Sequence, residues 1–233
     1  AMSSRPQPVT RVLLACGALG GPLFVVVLLI QGATRPGYSP MRHPGSLLSL
    51  GDQGWIQITN FLVTGLLMLA FAVGLRRALG SGRGSRWGPL LLAGYGLGLL
   101  AAGVFVTDPL LGYPPGTPSG PNATVSWHGT LHNLAGLVAF ASLSAACFVL
   151  ARRFAAQPAG RGWAVYCTVT GVAVLACFVA ASAAFSQQVN ALTELGGLFQ
   201  RAAIVLGWGW VALLAMRLLA TLAHQEASAS GST

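Results

Sequence analysis

The chain has no lysine at all, and only four of its 233 residues are acidic (Asp52, Asp108, Glu194 and Glu226). Charged residues make up 7% of the sequence, a share too small to coat a soluble domain of this size, so a soluble α/β fold is excluded. Cysteine is scarce, and none of Cys16, Cys147, Cys167 and Cys177 stands in a Cys-x-x-Cys pair; each sits in an apolar run as a small hydrophobe. A small-residue cleavage site followed by a soluble domain is also missing, so the first apolar run is not expected to be a cleavable signal.

What is present is apolar: 54% hydrophobic residues and 31 glycines. Taking about twenty residues to cross about 30 Å of hydrocarbon, six spans emerge, at roughly 12–31, 55–75, 88–107, 129–151, 163–185 and 198–222. Each is expected to be helical, because lipid offers no partner to open backbone groups. The fold class is therefore an all-α integral membrane protein, a six-helix bundle. A short segment, 1–11, precedes it, and a polar tail, 223–233, is expected to be disordered. Pro22 is expected to kink the first span. Gly94-x-x-x-Gly98 and the alanine-rich fifth span point to close helix contacts.

All 13 basic residues are arginine, which with the Ala/Gly richness suggests a GC-rich bacterial genome. Arg5, Arg11, Arg76, Arg77, Arg83, Arg86, Arg152, Arg153, Arg161 and Arg217 fall on one side of the six spans. Only Arg35, Arg42 and Arg201 fall on the other. By the positive-inside rule both termini are expected in the cytoplasm of a bacterial plasma membrane. That placement, rather than nucleic-acid binding, accounts for the net charge of +9.

Three of the four acids and His43, His128 and His132 fall on the extracytoplasmic side, a segregation that simple solvation does not explain. His128 and His132 lie at i and i+4 and so share a helix face, and ionisable groups on a membrane helix are functional candidates by default. Ser126 or Thr124 is expected to cap that helix, whose positive end favours neutral imidazoles. Asp108-Pro109 ends the third span, either as a turn or as a site carboxylate. Arg201, on the sixth span, needs a partner such as Glu194, Asp108 or Asp52. Prolines stiffen the loop holding Tyr38, Arg42 and His43 into a cap. Trp55 and Trp127 read as interfacial anchors or as lining residues. Asn122-Ala123-Thr124 fits a glycosylation sequon, read as coincidence in a bacterial chain.

Gly37-Tyr38-Ser39-Pro40 with His43-Pro44, Gly54-Trp55-Ile56-Gln57 with Asn60-Phe61, Asp108-Pro109, and His128-Gly129 with His132-Asn133 together resemble the bacterial domain-of-unknown-function family 998. The resemblance covers about residues 10 to 222 and implies six spans but no activity. Locally, His128-x-x-x-His132 is similar to the His-x-x-x-His of the membrane hydrolase superfamily that holds alkaline ceramidases and progestin/adiponectin receptors. That similarity implies zinc, with His43 as third histidine and Asp108 as carboxylate. The superfamily itself has seven spans and carries the pair on its last.

The partners expected are the lipid bilayer and a hydrophobic small molecule or lipid, and three functions stay open. One is a metal-dependent lipid amide or ester hydrolase, with zinc on His43, His128, His132 and Asp108 activating water and with Arg42 or Arg201 on a headgroup. Another is a metal-free cyclase or isomerase of an isoprenoid-like substrate. There Asp108 or Glu194 donates a proton, and Trp55, Phe105, Tyr113, Trp127, Phe199 and Trp208 stabilise the cation. The last is a non-catalytic lipid-binding module or accessory subunit, whose polar residues form a structural cluster.

Overall fold

The computed structural model describes residues 7–119, 124–186 and 190–230. It is helical, with no β-strand among those residues. The helices are α1 (Gln7–Thr34), α2 (Gly54–Leu79), α3 (Trp87–Val104), α4 (Trp127–Ala155), α5 (Arg161–Phe185), a single turn α6 (Asn190–Thr193) and α7 (Gly196–Ser230). A short 3-10 turn, Gly45–Ser49, lies between α1 and α2. Six of these helices are long and apolar enough to cross a bilayer, and the protein is a multi-pass membrane protein.

Each long helix packs against its neighbours in sequence, and α7 returns to pack against both α1 and α5, so the six close into a ring. Glycines set the spacing between neighbours. A Cβ on Gly65 would stand 3.0 Å from the Gly96 carbonyl oxygen, and one on Gly98 would stand 2.8 Å from that of Ala135. The Gly94-x-x-x-Gly98 face is thus the α3–α4 seam. Inside the ring Phe24 stacks on Trp208 at 5.8 Å, while Tyr95 and Phe61 pack against them.

Two boundaries depart from the hydropathy reading. The third helix stops at Val104 instead of near residue 107, because Phe105 turns extended and the carbonyls beyond are taken up by side chains of α4. At the other end of the chain, α7 runs through Ser230 where a loose tail was expected from 223. Alanines there favour helix, and Glu226 reaches Arg11 at 3.1 Å. α1 passes through Pro22 without interruption. Asn122 and Ala123 of the sequon lie outside the described residues.

The ring has two unlike ends. One carries the α2–α3 and α4–α5 connections, both ends of the described chain and most of the arginines. The other carries His43, His128, His132, Asp52, Asp108, Glu194 and the three remaining arginines.

Candidate functional site

The histidine pair faces the end of α3. α3 ends in carbonyls that no intrahelical N–H reaches, and the pair on α4 supplies the donors. His128 Nδ1 donates to the Val106 oxygen at 2.7 Å, and His132 Nδ1 donates to those of Phe105 at 2.8 Å and Ala102 at 3.2 Å. The i, i+4 spacing presents both rings to the same neighbouring helix end. A carbonyl partner fixes the proton on Nδ1, which leaves Nε2 as the lone-pair nitrogen of the neutral ring.

Asp108 completes the junction from the other direction. Its Oδ2 accepts from the Ser126 backbone N–H at 2.9 Å and its Oδ1 from the Ser126 hydroxyl at 2.6 Å. Ser126 is the N-cap of α4, accepting from the Gly129 N–H at 3.0 Å. The carboxylate lies where a Cβ on Gly129 would be, 2.1 Å from Oδ2, against the positive end of α4. His128 Nδ1 stands 4.0 Å from Asp108 Oδ1.

A second cluster forms around Arg201, buried at the start of α7. Its Nη1 donates to the carbonyls of Pro40 (2.6 Å), His43 (3.0 Å) and Gly197 (3.1 Å), and its Nη2 donates to the Tyr38 hydroxyl. Tyr38, His43 and Tyr113 pack ring to ring at 5.3–5.6 Å. His43 Nε2 donates to the Leu111 oxygen at 3.1 Å, and its Nδ1 accepts from the Ser39 N–H at 3.0 Å. Burial pushes the pKa of His43 down and that of Tyr38 up, the latter against the pull of Arg201, so both are neutral. Arg42 pairs with Glu194 at 3.4 Å, and the carboxylate side is 70% exposed. In place of the expected carboxylate (Glu194, Asp108 or Asp52), Arg201 is partnered by loop carbonyls and the Tyr38 hydroxyl, and Glu194 belongs to Arg42.

These contacts decide which expected residues meet. Tyr38, His43 and Arg201 form one cluster, with the Arg42–Glu194 pair beside it. Asp108 and His128 form another with Ser126, and His132 turns from it into the ring. The zinc set does not assemble: both ring nitrogens of His43 are engaged elsewhere, and Asp108 is held by Ser126. No three His, Cys, Asp or Glu side chains among the described residues are grouped to hold a metal ion. Trp55 and Trp127, exposed at the starts of α2 and α4, sit where interfacial anchors sit.

An interior cavity of about 60 Å³ lies among α1, α2, α3, α4 and α7, and beside it a groove of about 440 Å³ opens between the ends of α4 and α5. Ser46, His132, Gly136, Phe140 and Gln200 line both. The Phe140–Phe178 stack, at 4.8 Å, lies along the groove. Gln57, on the cavity wall, accepts from Gln31 at 2.8 Å, and Gln31 in turn accepts from the buried Arg35 at 3.0 Å. Gln57 Nε2 and Asn60 Oδ1 are buried without a hydrogen-bond partner.

Sequence reasoning missed Gln31, Arg35, Gln57, Asn60 and Gln200. The signal was available, since amides inside apolar spans need partners as charges do. Tyr113 was read only as a cation-stabilising aromatic, yet it is part of the Tyr38–His43 cluster. No curated protein and no solved structure matches the chain. Over residues 18–217 the sequence matches the family described as Protein of unknown function (DUF998), and the chain belongs to that family.

Proposed function

We propose that the protein binds a hydrophobic or lipidic small molecule that enters from the side between α4 and α5 and reaches the interior cavity past His132. The observation that carries this reading is the shared wall of groove and cavity, together with the unpaired amide nitrogen of Gln57 buried on the cavity wall. A buried polar atom left unpaired costs about 1–3 kcal/mol, so a guest offering a hydrogen bond at that depth is favoured over a purely hydrocarbon one. The lone-pair Nε2 of His132 adds an acceptor on the same path.

The test uses Gly136, which lines groove and cavity and has open space where a side chain would start. Gly136→Leu is expected to fold, and to lose any small molecule that copurifies with the natural protein in native mass spectrometry. An unchanged complement of bound molecules in that variant would overturn the reading.

The finer reading, hydrolysis of a lipid amide or ester, draws support from the His132 lone pair alone, which would act as a general base on water. Its measure is turnover of ester and amide lipid analogues, abolished in His132→Gln while the helix content is kept. The arginine-rich end would face the cytoplasm, and labelling an exposed cysteine at Ser81 in sealed cells tests that direction.

A further inference from the structure

All four acids of the sequence are accounted for in the structure. Glu226 pairs with Arg11, Glu194 with Arg42, Asp108 with Ser126, and Asp52 stands in the loop before α2, at the end opposite to most arginines. The α2–α3 connection and the helix ends flanking it therefore hold Arg76, Arg77, Arg83 and Arg86 with no carboxylate to neutralise them.

Three of these, Arg76, Arg77 and Arg86, rim a groove of about 850 Å³ between α2 and α3. Below them its walls are apolar, formed by Leu69, Val73, Pro89, Leu90 and Ala93. The groove follows from where the glycines lie. At the histidine-bearing end α2 and α3 touch through Gly65, Gly96 and Gly103, whereas toward the arginines no glycine lines the groove between them. Val73 and Leu90, both exposed, leave an apolar cleft facing the bilayer.

Two other grooves at this end carry fewer arginines: Arg83 and Arg152 between α3 and α4, and Arg152 and Arg161 between α4 and α5. They are smaller, at about 550 and 530 Å³. Arg153, which would have added charge there, is spent on the carbonyls of Leu79, Ser81 and Arg83. At the α2–α3 groove Arg76 spends one nitrogen on the Gly80 carbonyl and Arg86 lies over Trp87 at 5.9 Å, and neither contact uses up a charge.

We infer that the α2–α3 groove is a binding site for an anionic phospholipid, its phosphate held by Arg77 and Arg86 with Arg76 beside them, and an acyl chain laid against Val73, Leu90 and Ala93. Guanidinium groups match phosphate oxygens in charge and in geometry, and basic pockets between spanning helices attract anionic headgroups. A zwitterionic lipid offers the same chain with no net charge, so selectivity measures the arginines and occupancy measures the cleft. This site is separate from the interior cavity and stands independently of what that cavity binds.

The test is native mass spectrometry of the full-length protein in detergent, titrated with phosphatidylglycerol or phosphatidylcholine of equal chain length. Phosphatidylglycerol is expected to bind roughly tenfold more tightly or better. Arg77→Gln with Arg86→Gln should erase most of that preference, while Arg152→Gln with Arg161→Gln should keep it. Ala93→Phe should weaken both lipids by filling the cleft. Equal binding of the two lipids in the natural protein, or a preference surviving the Arg77/Arg86 changes, would overturn the assignment. So would displacement of phosphatidylglycerol by millimolar inorganic phosphate, which would reduce the site to an anion site without a lipid.

Discussion

The two ends of the ring use arginine in opposite ways. At the histidine-bearing end all three are consumed by the fold: Arg201 gathers the 38–43 loop, Arg35 donates to the carbonyls of Leu50 and Gln53 and to Gln31, and Arg42 meets Glu194. At the other end, among the described residues, only Arg153 and Arg11 are tied in a comparable way, and Arg217 packs over Phe154 and Trp163. Arg76, Arg83, Arg86, Arg152 and Arg161 are exposed and Arg77 is half-exposed, none with a carboxylate partner. A buried guanidinium bound to carbonyls is a structural fastener, whereas an exposed one is a free charge that lipid or salt can answer. Counting arginines alone therefore understates the asymmetry, because those on the poorer side are not available as charge.

The largest expected effect breaks the fastener. Arg201→Met removes the donor to three carbonyls and to the Tyr38 hydroxyl, all at a buried site. At about 1–3 kcal/mol for each group left unpaired, less what water recovers, the loss should be about 4 kcal/mol. It would show in thermal unfolding in detergent. Arg77→Gln, by contrast, at a half-exposed site, should cost no more than about 0.5 kcal/mol in the same measurement. Equal effects would mean that the two ends do not differ as described.

Next in size is Gly197→Ala. A Cβ there would meet the carbonyl oxygens of Pro40, His43 and Met41 at 2.5–2.9 Å, and those oxygens belong to the loop that closes over α7. Backbone on every side cannot yield cheaply, so a loss of about 2 kcal/mol is expected. Gly209→Ala, on the same helix with open space around it, serves as the control and should be neutral or slightly stabilising. A neutral Gly197→Ala would show that the cap is loosely docked.

How far such features could be read from sequence depends on whether they follow from periodicity or from contact. The six spans follow from hydropathy, and all but the sixth, which runs on to Ser230, match the helices to within a few residues at each end. The third ended early because its last carbonyls are satisfied by His128 and His132, a tertiary contact that hydropathy cannot register. For the same reason the histidine pair was legible as a shared face while its task was not: i, i+4 spacing suits a metal and a helix end equally. The cap of α4 was readable from residue type as Ser126 or Thr124, and the structure uses Ser126. Arg201's need for a partner was readable too, but the choice of loop carbonyls over Glu194 was not, since it depends on how Pro40 and His43 fold back. Gln57 was visible as an amide in an apolar run, though only the ring closure places it on a cavity wall.

A smaller effect comes from His43. Burial lowers its pKa below the ordinary value, and the nearby Arg42 and Arg201 act in the same direction, while the Leu111 carbonyl and Glu194 oppose them. The folded state thus holds fewer protons at this site than the unfolded state. The associated stability is fully present above about pH 6.5 and is lost as the pH falls below that value toward the depressed folded pKa. Acidification should therefore loosen the cap before the rest of the ring. Protection factors against hydrogen exchange at residues 38–44 should fall between about pH 7 and 5.5, while those of the 79–87 connection, which contains no histidine or acid, should not follow. His43→Gln, able to keep a donor toward Leu111, should remove the pH dependence. If both connections lose protection together, the change lies in the whole bundle and the cap is not a separate unit.

The smallest difference lies within the arginine-rich end itself, between two neighbours in sequence. Arg153 donates to the carbonyls of Leu79, Ser81 and Arg83 at 2.8–3.1 Å, closing the C-terminal end of α2 and its loop against α4. Arg152 points into the lipid-facing grooves on either side of α4. Arg153→Gln should cost about 1 kcal/mol, since these bonds are partly exposed and water replaces some of them, and Arg152→Gln should cost less than about 0.5 kcal/mol. Salt separates them further. Raising ionic strength to about 1 M shortens the screening length of a free charge from about 8 Å to about 3 Å and leaves bonds to carbonyls largely intact. The Arg153→Gln deficit should then persist in high salt, whereas any effect of Arg152→Gln in anionic lipid should fade. The reverse ranking would mean that exposed charge, and not carbonyl capture, holds this end of the ring together.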